Sequence, residues 1–93
     1  MAGEILNKQP SESVLYDIDF APLLKSGDDI NTVTSVTTAQ GGLVIGSPAK
    51  SGQKVQVRIS SGTDGTLYKL TAIIVSVAGN TRETDVLLRV EDS

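Results

Sequence analysis

The chain contains no histidine, no cysteine and no tryptophan, and 2 Tyr and 1 Phe are its whole aromatic complement in 93 residues. Without His and Cys, the usual zinc sites, the Ser-His-Asp arrangement, Cys-His nucleophile pairs and any disulfide framework are excluded. Positive charge is also scarce: 8 Lys and Arg stand against 11 Asp and Glu, a formal net charge of −3, and the cations are scattered singly along the chain. Nucleic acid and anionic membranes are recognised by gathered cations, so neither is an expected partner. No apolar run approaches the roughly 18 residues that span a bilayer, and Met1-Ala2-Gly3-Glu4 lacks the basic start of a secretory signal, so a soluble chain is expected.

What is present favours strands. Ten Val, nine Thr and seven Ile suit a pleated, half-buried backbone, and nine Gly supply turns. A chain of this length buries only about 64% of its extended surface on folding, enough for one small domain and too little for a deep enzyme cleft. Turn signals at Gly27-Asp28, Gly41-Gly42, Ser47-Pro48, Ser51-Gly52, Ser61-Gly62, Asp64-Gly65 and Gly79-Asn80 recur at roughly 10- to 15-residue intervals. The expected fold is therefore all-β, an immunoglobulin-like antiparallel β-sandwich of about seven strands over residues 14–93. Residues 1–13 carry a Pro, three charged residues and only Ile5-Leu6 as adjacent large apolar side chains, and are expected to form a flexible N-terminal arm.

Strict alternation makes residues 53–60 a half-buried strand with Val55, Val57 and Ile59 inward. Residues 67–77 and 82–91 follow as a pair, with Leu70, Ile74, Val86 and Leu88 in the core. Residues 14–19, 30–38 and 43–45 are further strands, the second with only mixed alternation, and Ala21-Pro22-Leu23-Leu24-Lys25 reads as one helical turn. Thr63-Asp64-Gly65-Thr66-Leu67-Tyr68 has the turn residues and the Tyr of a tyrosine corner, in which a hydroxyl bonds back to the upstream backbone; the alternative is an ordinary half-buried strand Tyr. Asp64, Gly65 and Tyr68 are the candidate corner residues.

If Tyr68, Leu70, Ala72 and Ile74 point inward, then Ile73, Val75 and Val77 point outward, joined by Leu87 on the neighbouring strand. Such a stripe either meets a partner or is buried by a bulge at Ile73-Ile74. Ile5, Leu6, Ile73, Val75 and Leu87 are accordingly the candidate partner contacts. Chemistry finds little support. Asp17-x-Asp19, Asp28-Asp29 and Asp64 could supply oxygen ligands to Ca²⁺, but EF-hand spacing is missing and each suits a local turn. Gly62-x-x-Gly65 lacks the Lys-Ser/Thr and the helix of a phosphate loop. No catalytic residue, cofactor or metal is expected.

The runs Tyr16-Asp17-Ile18-Asp19-Phe20-Ala21-Pro22-Leu23-Leu24, Gly27-Asp28-x-Ile30, Ser60-Ser61-Gly62-Thr63-Asp64-Gly65-Thr66-Leu67-Tyr68 and Leu87-Leu88-Arg89-Val90 give the chain a family likeness. Together they resemble small immunoglobulin-like virion proteins of tailed bacteriophages, of the fibre–tail adaptor or head–tail neck type. The chain departs from the likeness at Ser61, where Gly is expected, and in its arm. The resemblance implies a non-catalytic structural protein, made in the host cytoplasm and present in many copies in the virion. Its implied partners are other neck, tail or fibre proteins and copies of itself. The rival expectation is a small ligand- or carbohydrate-binding β-domain, which would have to spare an aromatic from Tyr16, Phe20 and Tyr68 for an exposed platform.

Overall fold

A computed structural model describes residues 5–92. Its strands are β1 (Ile5–Lys8), β2 (Ser13–Asp19), β3 (Ile30–Thr38), β4 (Leu43–Ile45), β5 (Ala49–Ser51), β6 (Lys54–Ser61), β7 (Thr66–Ser76) and β8 (Thr81–Val90), with a single 3-10 turn at Ala21–Leu23. They form two sheets, one ordered β1-β8-β7-β3 and the other β2-β6-β4 with β5 also paired to β6. All pairings are antiparallel except β1 with β8. The fold is thus the expected all-β sandwich.

The core lies between the sheets and follows the period-two pattern. Val55, Val57 and Ile59 of β6 face Tyr68, Leu70, Ala72 and Ile74 of β7 and Val86, Leu88 and Val90 of β8, joined by Ile18, Phe20, Ile30 and Val36, all of them buried. Removing each large side chain from water contributes roughly 1.5–3 kcal/mol. β3 loses its alternation through two register shifts, at Ile30/Thr32 and Val33/Ser35, which leave Asn31 and Thr34 as extra residues opposite a regular β7. The irregularity therefore sits in β3, and Ile73-Ile74 runs through without a bulge against Glu83 and Arg82.

Two strands have no alternating pattern to announce them. Ala49-Lys50-Ser51 is exposed throughout and is held by its pairing with β6. Ile5–Lys8, within the segment expected to be a flexible arm, is a parallel edge strand in register with Leu87–Val90. Backbone hydrogen bonds from an already formed edge stabilise a segment whose own side chains bury too little. Leu6, one of the expected partner contacts, is half-buried and packs against the core from this edge. Lys8 is only 3% exposed, its ammonium donating to the carbonyls of Gln9 (2.7 Å), Pro10 (3.3 Å) and Ser61. At Ile5, another expected contact, the structure describes the backbone pairing with Leu87. The remainder of the expected arm up to Glu4 lies outside the described residues.

Candidate interface: the outer face of the four-stranded sheet

The inward row of β7 fixes its outward row as Leu67, Lys69, Thr71, Ile73, Val75 and, just past the strand, Val77. Across β8 these positions face Arg89 (from Leu67), Leu87 (from Lys69), Asp85 (from Thr71), Glu83 (from Ile73) and Thr81 (from Val75). Ser35 and Thr32 of β3 lie beside Ile73 and Val75 on the other side. Ile73, Val75 and Leu87 are half-buried among these neighbours, whereas Leu67 is 43% and Val77 65% exposed.

Ile73, Val75 and Leu87 share one face but do not form one stripe. Between Ile73 and Leu87 lies a polar node: the Thr71 hydroxyl donates to Asp85 Oδ1 at 2.8 Å, and Lys69 Nζ lies 3.5 Å from Asp85 Oδ2. The node divides the apolar surface into one patch of Ile73, Val75 and Val77 and another of Leu67 and Leu87. Leu67 was not among the expected contacts, although its place beside inward Tyr68 already puts it on this face. The second sheet shows only Leu15 and Val44 as large exposed apolar residues, set apart across β6 opposite Arg58 and Ser60.

At the end of this sheet, fully buried Tyr68 fastens three segments. Its hydroxyl accepts from the Thr63 N–H at 3.0 Å and donates to the Gly41 carbonyl at 3.0 Å. Asp64 Oδ1 accepts from the Asp92 N–H at 2.9 Å, and the Gly65 N–H donates to the Val90 carbonyl at 2.8 Å, so the loop is tied to the end of β8. The close packing needs glycine at two places. A Cβ on Gly42 (φ +94°) would lie 2.9 Å from Thr63 Oγ1 and 3.2 Å from the Tyr68 hydroxyl, and one on Gly62 (φ +111°) would lie 2.9 Å from Val90 Cγ2.

Other titratable groups serve the fold. Partial burial pushes the Asp28 carboxyl up, but hydrogen bonds from the Asp29 N–H, the Ser76 hydroxyl and the Ala78 N–H, with the charge of Arg82, outweigh it and hold the carboxyl below its ordinary value. Burial, followed by the negative charge of Glu12, raises the Tyr16 phenol, whose hydroxyl donates to the Asn7 carbonyl at 2.8 Å. Asp19 Oδ1 accepts from the Ala21 N–H at 2.9 Å. Phe20 and Tyr68 are fully buried and Tyr16 half-buried, so the chain's three aromatics form no exposed stacking platform. A surface hollow of about 320 Å³ lined by Asn7, Lys8, Gln9, Glu12, Arg89 and Glu91 brings both charge signs together.

No curated protein matches the chain. A family model described as podophage GP4 fiber-tail adaptor protein gp77 matches residues 8–89, from buried Lys8 in β1 to Arg89 near the end of β8. The match covers most of the chain, and the chain belongs to this family of phage fibre–tail adaptors, structural components of the virion that bind other virion proteins.

Proposed function

We propose that the protein works in several copies per particle, with the outer face of the β1-β8-β7-β3 sheet as its docking surface for a neighbouring virion subunit at the site of fibre attachment. The observation that carries this reading is the pair of apolar patches, Ile73/Val75/Val77 and Leu67/Leu87, on one face of a domain whose core is already complete. Apolar surface grouped on one face of a small domain is stabilised by contact with a partner. The polar node Thr71–Asp85–Lys69 between the patches gives the contact a register, because a partner must leave it solvated or supply matching groups. The strand pairs β2–β6 and β3–β7–β8, with Tyr68 at the corner, support an immunoglobulin-like designation for the scaffold.

Leu67→Asp and Val77→Asp test the surface, since both residues are exposed and neither contributes to the core. Each variant is expected to unfold at the same urea midpoint as the parent while entering phage particles at least about tenfold less well, as for loss of an interface anchor. Normal incorporation of both would overturn the docking surface. Quantitative mass spectrometry of purified particles checks the stoichiometry, and one copy per particle would overturn the multi-copy reading.

A further inference from the structure

The edges of the two sheets are not equally protected. β1 has four residues, and its Asn7 carbonyl is occupied by the Tyr16 hydroxyl. β3 is long but broken by two bulges, and β4 and β5 have three residues each. Short strands and bulges are common ways of keeping an edge from pairing with another chain. β2 has neither. Its seven residues pair with β6 without a register shift, include no Pro and no Lys, and, among the described residues, have no strand on their other side.

The hydrogen-bond phase of this ladder is set at both of its margins. The Phe20 N–H donates to the Gln53 carbonyl at 2.9 Å, and the Gly46 N–H donates to the Arg58 carbonyl at 2.8 Å on the far side of β6. In an antiparallel ladder, successive residues direct their N–H and C=O groups to opposite sides. Val14, Tyr16 and Ile18 therefore direct theirs to β6, and Leu15, Asp17 and Asp19 direct theirs to the open edge. The side chains of those same three residues stand on the outer face, Leu15 48% exposed and both Asp exposed.

We propose that the free edge of β2 is a strand-addition site for an extended segment of another protein, antiparallel to β2, with Lys or Arg opposite Asp17 and Asp19 and an apolar residue opposite Leu15. Main-chain bonds to Leu15, Asp17 and Asp19 give such a segment its affinity, and the alternating side chains give it its sequence. Lys54 lies opposite Asp19 in β6 and offsets part of its charge, so the choice of occupant rests mainly on Asp17, whose neighbour across β6 is the neutral Gln56: opposite charges directly across two strands attract, and like charges there repel. Full antiparallel overlap of two β2 strands would place the two Asp17 carboxylates on a diagonal with no base opposite either, which disfavours a second copy.

The test uses the full chain, labelled with ¹⁵N, and two capped peptides, Lys-Thr-Lys-Thr-Leu-Thr and Glu-Thr-Glu-Thr-Leu-Thr, at low ionic strength. The lysine peptide is expected to slow amide exchange at Leu15, Asp17 and Asp19 and to bind roughly tenfold more tightly than the glutamate peptide. In Asp17→Lys, which leaves the Asp19–Ala21 bond in place, the preference narrows or reverses. Equal binding of both peptides to the parent chain, no protection of these three amides by either, or protection confined to β3 would each overturn the proposal. Because β2 lies in the sheet opposite the docking face, its failure is distinguishable from failure of the Leu67 and Val77 variants.

Discussion

On one side of β7, Tyr68, Leu70, Ala72 and Ile74 are sealed from water; on the other, Leu67, Ile73, Val75 and Val77 are half-buried or exposed. These residues are apolar on both sides, although the outer row also carries Lys69 and Thr71, and the strand is one continuous, regular element. The difference comes from what each face meets. The inner row packs on β6 and its neighbours across the sandwich, while the outer row meets only its neighbours within the sheet. Period-two geometry thus lets one strand of a small protein fill the core on one side and present apolar side chains on the other.

The most direct way to break this comparison is to truncate one residue on each face. Leu70→Ala removes a fully buried side chain, and the cavity it leaves is expected to cost about 2–5 kcal/mol, a large share of the stability of a 93-residue domain. Val77→Ala, at 65% exposure, is expected to change stability by less than about 0.5 kcal/mol. Urea unfolding followed by circular dichroism measures both. Comparable losses at the two positions would mean that the outer face is also sealed in solution.

A smaller effect separates packing from hydrogen bonding within the inner row. Tyr68→Phe keeps the ring and deletes the hydroxyl, leaving the Thr63 N–H and the Gly41 carbonyl without their buried partner. Both groups belong to exposed residues and can turn to water, so the loss expected in the same unfolding experiment is roughly 0.5–1.5 kcal/mol, that of an ordinary hydrogen bond. A neutral result would show that water takes the place of the hydroxyl, and that the ring alone holds this end of the row.

The inner rows of β6, β7 and β8 were legible because alternation is a local signal, repeated along strands of eight to eleven residues. The outward positions of Ile73, Val75 and Leu87 followed from the same period. Their division into two patches did not, because it depends on which β8 residue lies opposite each β7 residue. Register is a property of the pair, and no pattern within one strand shows that Asp85 meets Thr71. β3 hid its facing for a related reason: two extra residues reset its period. β1 and β5 were invisible because they are strands through their partners' backbones, and the burial of Lys8 depends on the Ser61 carbonyl, 53 residues away in sequence. Tyr68 was readable from its own loop, whereas Gly41, whose carbonyl accepts its hydrogen bond, lies 27 residues away in sequence.

Ser61 offers the finest test, and it concerns the turn that leads into the Tyr68 corner. Among the described residues it is the one non-glycine residue with positive φ, +63°. A side chain in that region costs roughly 1–2 kcal/mol, which accounts for the expectation of glycine at this place. The conformation persists because its surroundings determine it: the Ser61 carbonyl accepts from buried Lys8, and the next residue, Gly62, donates its N–H to the Gly42 carbonyl at 2.9 Å. Ser61→Gly keeps both main-chain contacts and removes the steric penalty. Glycine also gives the unfolded chain more freedom, which offsets about 0.5–1 kcal/mol of the gain. The net expectation is a stabilisation of about 0.5–1 kcal/mol, read as a higher urea midpoint with an unchanged slope. A loss of stability would show that the serine side chain makes a contact strong enough to outweigh the strain, and that the corner depends on more than the backbone bonds around Tyr68.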